Sequence, residues 1–523
     1  VLGRALELSP TSPVIVGNYA RVLESTGQHQ SALEKHVAAM DLHLSALQKR
    51  LAKSLPRVTR PAHKQTVAIF ARTRNEMKVE DNVWSAADVV RGSGLAGSEE
   101  AVVRVAAEVA SRGYHVEVYG NPPRSAFGAS RDGVVWLPFY ALDLAKRPPD
   151  LLVSWRGIEA AVLAGRRSVR AWVWLHDVVE SRDILSTPLF QQSVTGILVL
   201  SGFHASLLPP LDIPVVVTSN GVSTSDCLDG TNDNTNMVYA GWPTHGLELV
   251  LRQWGRIRGG LGARGGQAGR AVLHVYYGFP AWMQNVFGDE AWYTAMKRRV
   301  TMLLRQPGVV YHGAVSHDEM AQAYASAGFL LYPTSKPETS GIALMKAQCS
   351  GAVPITSRYP TSALAETAGC FDLGPAPPDN ATEFAIAMRE GSVGGRWADA
   401  FGDAVVRAAK INATAMAARR HTMKKWARER YGTRADRPGA HRHTSTLRLA
   451  QIQVECGGGS VGLLILWPPR SESAYHVGSR KRVPRSPRTL KAQCPSIFIQ
   501  VFKEPSSCAR RAFRSASNSC RCR

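Results

Sequence analysis

The sequence predicts an α/β protein built from two Rossmann-like domains, and three observations carry that expectation. From residue 66 onward, short and nearly all-apolar runs alternate with helical patterns, as in a parallel sheet covered on both faces. The alternation breaks once, at the polar and turn-rich DCLDGTNDNTN (226–236), and then restarts. With 523 residues, 45% of them hydrophobic, the chain is long enough for two or three domains with proper cores.

Residues 1–60 read as helical, with Ala20, Leu23, Gly27, Ala32 and Leu33 spaced like one helix-turn-helix of a tetratricopeptide repeat. One and a half repeats cannot bury their own face, so the segment is expected either to continue a truncated array or to cap the next domain. A linker is expected over 56–64. The first Rossmann-like domain, 66–225, takes its strands from TVAIFA, HVEVYG, VVWLPF, DLLVSWRG, AWVWLHD, TGILVLSGFH and PVVVTSNGV, with a helix ending on Gly113. The second, 235–375, takes MVYAGW, AVLHVYYGF, GVVYHGA, the strand 329–332 and the strand 353–356, with helices predicted over 247–258, 296–304 and 318–326. Helices over 376–430 are expected to pack back across one or both domains. After Gly432 the periodicity disappears, and 431–523 reads as a basic, cysteine-containing disordered tail.

The net charge of +22 suggests polyanions until it is located. From Thr433 onward there are 17 Lys and Arg against 4 acids, so more than half of the excess lies in the tail. Nucleic acid is therefore expected only non-specifically, through that tail. Cys227, Cys349 and Cys370 stand apart in the body and read as reduced thiols, and no cysteine cluster has zinc-ligand spacing. No transmembrane segment is visible. Localisation stays open, with the cytoplasm the expected compartment and peripheral membrane association an alternative.

The functional reading centres on 328–357: a buried strand, a loop to Glu338, a helix opening near Ser340-Gly341, a glycine stop at Gly351 and a second strand. The loop leaves the carboxyl end of a strand and feeds a helix whose first N–H groups lack intrahelical acceptors, a place for an anionic or polyol ligand. In the first domain GSGLAGSEE (92–100) occupies the equivalent lip. It does not match the dinucleotide fingerprint, which disfavours a hydride-transfer enzyme. The paired carboxylates of a glycoside hydrolase are likewise not evident.

GLAGSEEAVVRVAAEVASRGYHVEVYG, WVWLHD, VLSGFH, SNGV, VYAGWPTHGLELVL, LHVYYGF, VVYHGAVSHDEMAQAYASAGFLLYPT and PETSGIALMKAQCSGAVPIT together resemble glycosyltransferase family 4 over roughly 66–430. The resemblance implies a GT-B fold, two Rossmann-like domains facing a cleft, and a retaining, metal-independent transferase of the hexosyltransferase kind. It implies a nucleotide-sugar as co-substrate, no cofactor, and a glycan, lipid or protein acceptor, with a protein partner conceivable through the helical segment. By position it assigns Glu338 and His176 to catalysis. Gly94, Gly97 and Ser98 fall in the phosphate and acceptor loop. His245, Tyr277, Gly278, Gly313, Ser340, Gly341, Ile342 and Lys346 fall on the donor side.

Two departures stand out. Trp242 and His245 occupy the places of the family's phosphate-clamping cations, and neutral histidine is a weaker clamp. Lys346 replaces the second acid of the E-x7-E pair; it could pair with phosphate or with Glu338. Two rivals follow: a protein O-linked N-acetylglucosamine transferase-like enzyme, and a catalytically impaired sugar-nucleotide or protein-binding module.

Overall fold

The computed structural model describes residues 5, 7, 9–72, 83–90, 95–128, 130–179, 181–262, 270–279, 283–284, 287–390, 395–432, 450–456 and 459–465. All seven strands expected of the first domain are present. They are β1 (Thr66–Phe70), β2 (His115–Gly120), β4 (Val134–Pro138), β5 (Leu151–Trp155), β6 (Arg170–Trp174), β7 (Gly196–Val199) and β8 (Val215–Val217), with a two-residue β3 (Ser130–Arg131) added. The sheet order is β3-β4-β2-β1-β5-β6-β7-β8, parallel except for β3 against β4. Apolar clusters cover both faces, which is why these strands read as continuous hydrophobic runs.

The second sheet holds β9 (Asp233–Gly241), β10 (Val272–Tyr277), β11 (Val309–Gly313), β12 (Ala327–Tyr332) and β13 (Val353–Thr356), in the parallel order β11-β10-β9-β12-β13. Hydrogen bonds described below join the two domains.

Helices α1 (Pro13–Ser25) and α2 (His29–Leu51) form the expected hairpin, turning at Gly27 with φ 77°. They cap the first domain. Leu33, Val37, Met40, Leu44 and Leu47 of α2 share one core with Val162, Leu163 and Phe190. The segment read as a linker is pinned at Arg60, which donates to both oxygens of buried Glu117 at 2.9 and 2.6 Å.

Three further helices bear on the cleft. They are α3 (Gly97–Ser111), α4 (Ile342–Ser350) and α5 (Ala413–Tyr431). Gly341, at φ 83°, caps α4, whose first residue Ile342 lies one residue beyond the expected opening, and Gly351, at φ 98°, stops it. The basic helix α5 packs back as expected: Val222 N–H donates to Tyr431 O, and the Tyr431 hydroxyl donates to Thr367 O.

Two expectations are corrected. Cys227 and Cys349 form a disulfide across 122 residues of chain, while Cys370 keeps its thiol. Nothing in the local sequence pairs them, because the bond depends on the 226–236 stretch folding back onto α4. That stretch is also no loose tether. Ser350 Oγ donates to Asp226 O, Arg428 donates to Cys227 O and Cys349 O, and strand β9 already begins at Asp233. Of the tail, the structure describes one antiparallel hairpin, β14 (Ala450–Cys456) with β15 (Gly459–Ile465); the remainder, expected to be disordered, lies outside the described residues. Among the described residues no helix is long and apolar enough to cross a membrane.

Candidate active site

The carboxyl ends of β6 and β12 deliver the two central segments. His176 follows β6 and is buried between Trp155 and Trp174, whose rings lie 6.0 and 4.5 Å from its own. Burial, then the charge of Arg156, then His204 hold its pKa well below 6.5, so the imidazole is neutral at pH 7. Its carbonyl accepts a 2.6 Å hydrogen bond from Thr339 Oγ1 of the other domain. This bond fixes the two lips against each other. At that point two buried polar atoms, His176 Nε2 and Ser340 Oγ, have no hydrogen-bond partner among the described residues.

Glu338 lies one residue before Thr339, its side chain 17% exposed. Tyr332, at the end of β12, donates to Glu338 Oε1 at 2.7 Å. His245 Nδ1 lies 3.1 Å from the same oxygen and 2.9 Å from the Tyr332 oxygen. Tyr332 has a single proton and directs it at Glu338, so His245 Nδ1 is the donor in this triangle. Burial alone would raise the Glu338 carboxyl; the hydrogen bonds from His245 and Tyr332 and the charge of Lys336 hold it below its ordinary value. Its Oε2 accepts no hydrogen bond among the described residues, which leaves a carboxylate oxygen for a ligand hydroxyl.

Beside this triangle runs a row of aromatic rings. Trp242 lies 6.0 Å from Tyr277 at 10° between planes, and 6.1 Å from His245 at 21°. Tyr239 O–H donates to Trp242 O at 2.6 Å and holds the turn. Tyr277 has φ 82°, a conformation that costs a non-glycine residue about 1–3 kcal/mol and clusters at functional sites. Gly278 follows at φ 83°, where a Cβ would meet the Tyr311 hydroxyl at 1.9 Å. Burial, then the charge of Glu99, push the Tyr277 hydroxyl pKa up.

The remaining sequence-assigned residues divide. Gly97 opens α3 against Ile342, where a Cβ would meet Ile342 Cδ1 at 2.7 Å. Gly97 and Ile342 do come together. Ser98 Oγ donates to Glu99 at 2.7 Å. Gly313, at φ 71°, ends exposed β11 with open space where a Cβ would stand. Gly94 lies outside the described residues.

Lys346 requires a correction. It pairs neither with Glu338 nor with an open anion site. Its Nζ lies 2.8 Å from Glu100 Oε2 on α3, 3.3 Å from Asp226 Oδ1 and 3.2 Å from His317 Nδ1. Glu338 precedes α4 in the loop, whereas Lys346 lies in its second turn on the side packed toward α3. Glu100, Asp226 and His317 could by their grouping hold a metal ion, but the lysine ammonium stands among them.

Sequence reasoning missed several members. Tyr332 reads simply as the last apolar residue of a strand. Thr339 and Glu100 lie inside quoted motifs but carry no separate signal. Glu366 accepts from the N–H groups of Gly202 and Phe203 of the first domain at 3.0 and 3.3 Å, and nothing in its local sequence distinguishes it. Arg156, at φ 64°, pairs with Asp177 and lies 3.6 Å from Glu99; its position after a buried tryptophan was the available clue.

No known family profile matches the chain, and no curated protein matches it. Among solved structures the chain is similar to sucrose-phosphate synthase from Thermosynechococcus elongatus, at 15% identity and a TM-score of 0.42, covering 69% of this chain and 99% of that one. A glycosyltransferase from Rickettsia africae matches at 12% identity and 0.41, covering 70% and 98%. Anabaena HepE, solved in complex with UDP-glucose, also matches at 12% and 0.41, covering 70% and 98%.

Proposed function

We propose that the chain is a retaining, metal-independent glycosyltransferase of the family 4 kind, moving a sugar from a nucleotide-sugar donor to a glycan, lipid or protein acceptor. The single observation that carries this reading is the junction at Thr339–His176. There the buried, unpartnered His176 Nε2 and Ser340 Oγ, the ionised Glu338 and the N-terminus of α4 all lie within three residues in chain of that bond, after the carboxyl ends of β6 and β12.

The amides opening α4 and Ser340 Oγ would receive the donor diphosphate and stabilise the charge that grows on it as the glycosidic bond breaks. Glu338 Oε2 would accept from the sugar hydroxyls. Neutral His176 would hold the transferred sugar through Nε2. A leaving phosphate oxygen would take the acceptor proton as attack occurs on the same face, so the protein supplies chiefly position and charge stabilisation.

The Cys227–Cys349 disulfide favours an oxidising compartment over the cytoplasm first expected. Titration of the full chain with UDP-, GDP- and ADP-sugars, followed by analysis of products and their anomeric configuration, tests the proposal. Binding with retained configuration supports it, and binding to none of these donors overturns it.

A further inference from the structure

We infer that Glu366 is a positioning residue: its carboxylate is a releasable latch that holds the segment bearing His176 and the segment bearing Glu338 together. The inference rests on the functional reading above and adds a residue that acts through those two segments rather than on a ligand.

Glu366 lies on the short helix Leu364–Ala368 of the second domain, and it accepts from the N–H groups of Gly202 and Phe203, at 3.0 and 3.3 Å, where the helix Gly202–Ser206 of the first domain begins. Each of these two helices grips one side of the candidate site. In the second domain, Ala363 N–H donates to Glu338 O at 2.7 Å, and Thr367 Oγ1 donates to Ser340 O. The neighbours of Glu366 therefore hold both ends of 338–340. In the first domain, Leu200 N–H donates to His204 Nδ1 at 3.4 Å, which puts the imidazole proton on Nε2. That proton is donated to Asp177 O at 3.1 Å, next in chain to His176. The Glu366 bond thus joins the supports of both segments.

Burial separates this bond from the other links between the domains. Lys346 and Glu100 have side chains at most 10% exposed, so parting them would strand a buried charge. Glu366 and Gly202 are exposed, and water can take over both ends of their bond when it opens. A charge-assisted bond of this kind can be made and broken at little cost to the fold. Its loss lowers the population of the assembled site, and the apparent affinity for donor falls with that population.

The test compares the full chain with Glu366→Ala and Glu366→Gln, by steady-state kinetics with a panel of UDP-, GDP- and ADP-sugars, by amide hydrogen exchange and by thermal unfolding. Glu366→Ala should raise the donor KM by about tenfold or more while kcat stays within about twofold, because saturating donor reassembles the site. Its unfolding midpoint should not move, and amides should exchange faster in both 200–206 and 336–342. Glu366→Gln keeps one acceptor oxygen and should restore most of the KM.

An unchanged KM in Glu366→Ala overturns the inference. So does a fall in kcat and in unfolding midpoint at constant KM, which would mark a merely structural role. If wild type turns over no donor, the transferase reading fails; faster exchange in both segments of Glu366→Ala would still sustain the latch, and faster exchange confined to 202–203 would overturn it in either case.

Discussion

Lys346 Nζ lies 2.8 Å from Glu100 Oε2, joining helix α4 of the second domain to helix α3 of the first, with both side chains at most 10% exposed. Asp226 and Arg104 complete the group, so two cations face two carboxylates in a buried place. Burial alone would raise Glu100; Lys346, His317 and Arg104 together hold it below its ordinary value. The lysine is therefore part of the domain junction.

Removing one partner of such a pair leaves an uncompensated buried charge. Lys346→Met should destabilise the chain by about 3–5 kcal/mol, whereas Lys346→Met with Glu100→Met should recover most of that loss, because Arg104 and Asp226 remain matched. Denaturant titration of the two variants checks this. Equal destabilisation by both would contradict the pairing.

The same argument applies at Arg60 and Glu117. Burial would raise Glu117, but hydrogen bonds from Arg60 and Tyr119 and the charge of Arg60 hold it low. A depressed carboxyl contributes stability that is present above its ordinary value near 4.5 and lost as the pH falls through the lower folded value. Stability should therefore fall below pH 4.5, less steeply in Glu117→Gln, which starts from a lower plateau. Thermal unfolding across pH 3–7 reads the difference; identical slopes would sink the assignment.

The disulfide closes a loop of 122 residues, and a loop of that length predicts up to about 5 kcal/mol of stabilisation. A dithiol reductant, or Cys227→Ser with Cys349→Ser, should lower the unfolding midpoint and loosen 222–232 in hydrogen exchange. No shift on reduction would mean that the bond contributes nothing in solution.

His176 should titrate well below pH 6.5, because burial and Arg156 both disfavour its charged form. Imidazole resonances followed by NMR should place the His176 midpoint well below 6.5. A midpoint near 6.5 would place it in solvent and remove it from the site.

Much of the architecture was legible in the sequence, because parallel strands buried on both faces leave uninterrupted apolar runs such as TVAIF and FLLY. Helix ends at Gly113 and Gly351 were legible for a related reason, since left-handed backbone favours glycine. Glu338 was singled out through its loop before a helix. What stayed hidden depends on contacts between distant segments: Glu100 and Lys346 are 246 residues apart, and Thr339 and His176 are 163 apart. The disulfide was misread for the same reason. Local pattern carries no record of which side of α4 meets α3, so the expectation for Lys346 reached only to phosphate or to Glu338, the nearest acid in sequence.

The central claim is that Glu338 and the junction beside it transfer sugar from a nucleotide donor, and the direct measurement is release of nucleoside diphosphate by wild type and Glu338→Gln with a panel of nucleotide-sugars. The account predicts acceptor-stimulated release by wild type with at least one donor, and a loss of about a hundredfold or more in Glu338→Gln at an unchanged fold. Full turnover in Glu338→Gln, or no release by wild type from any donor, would contradict it.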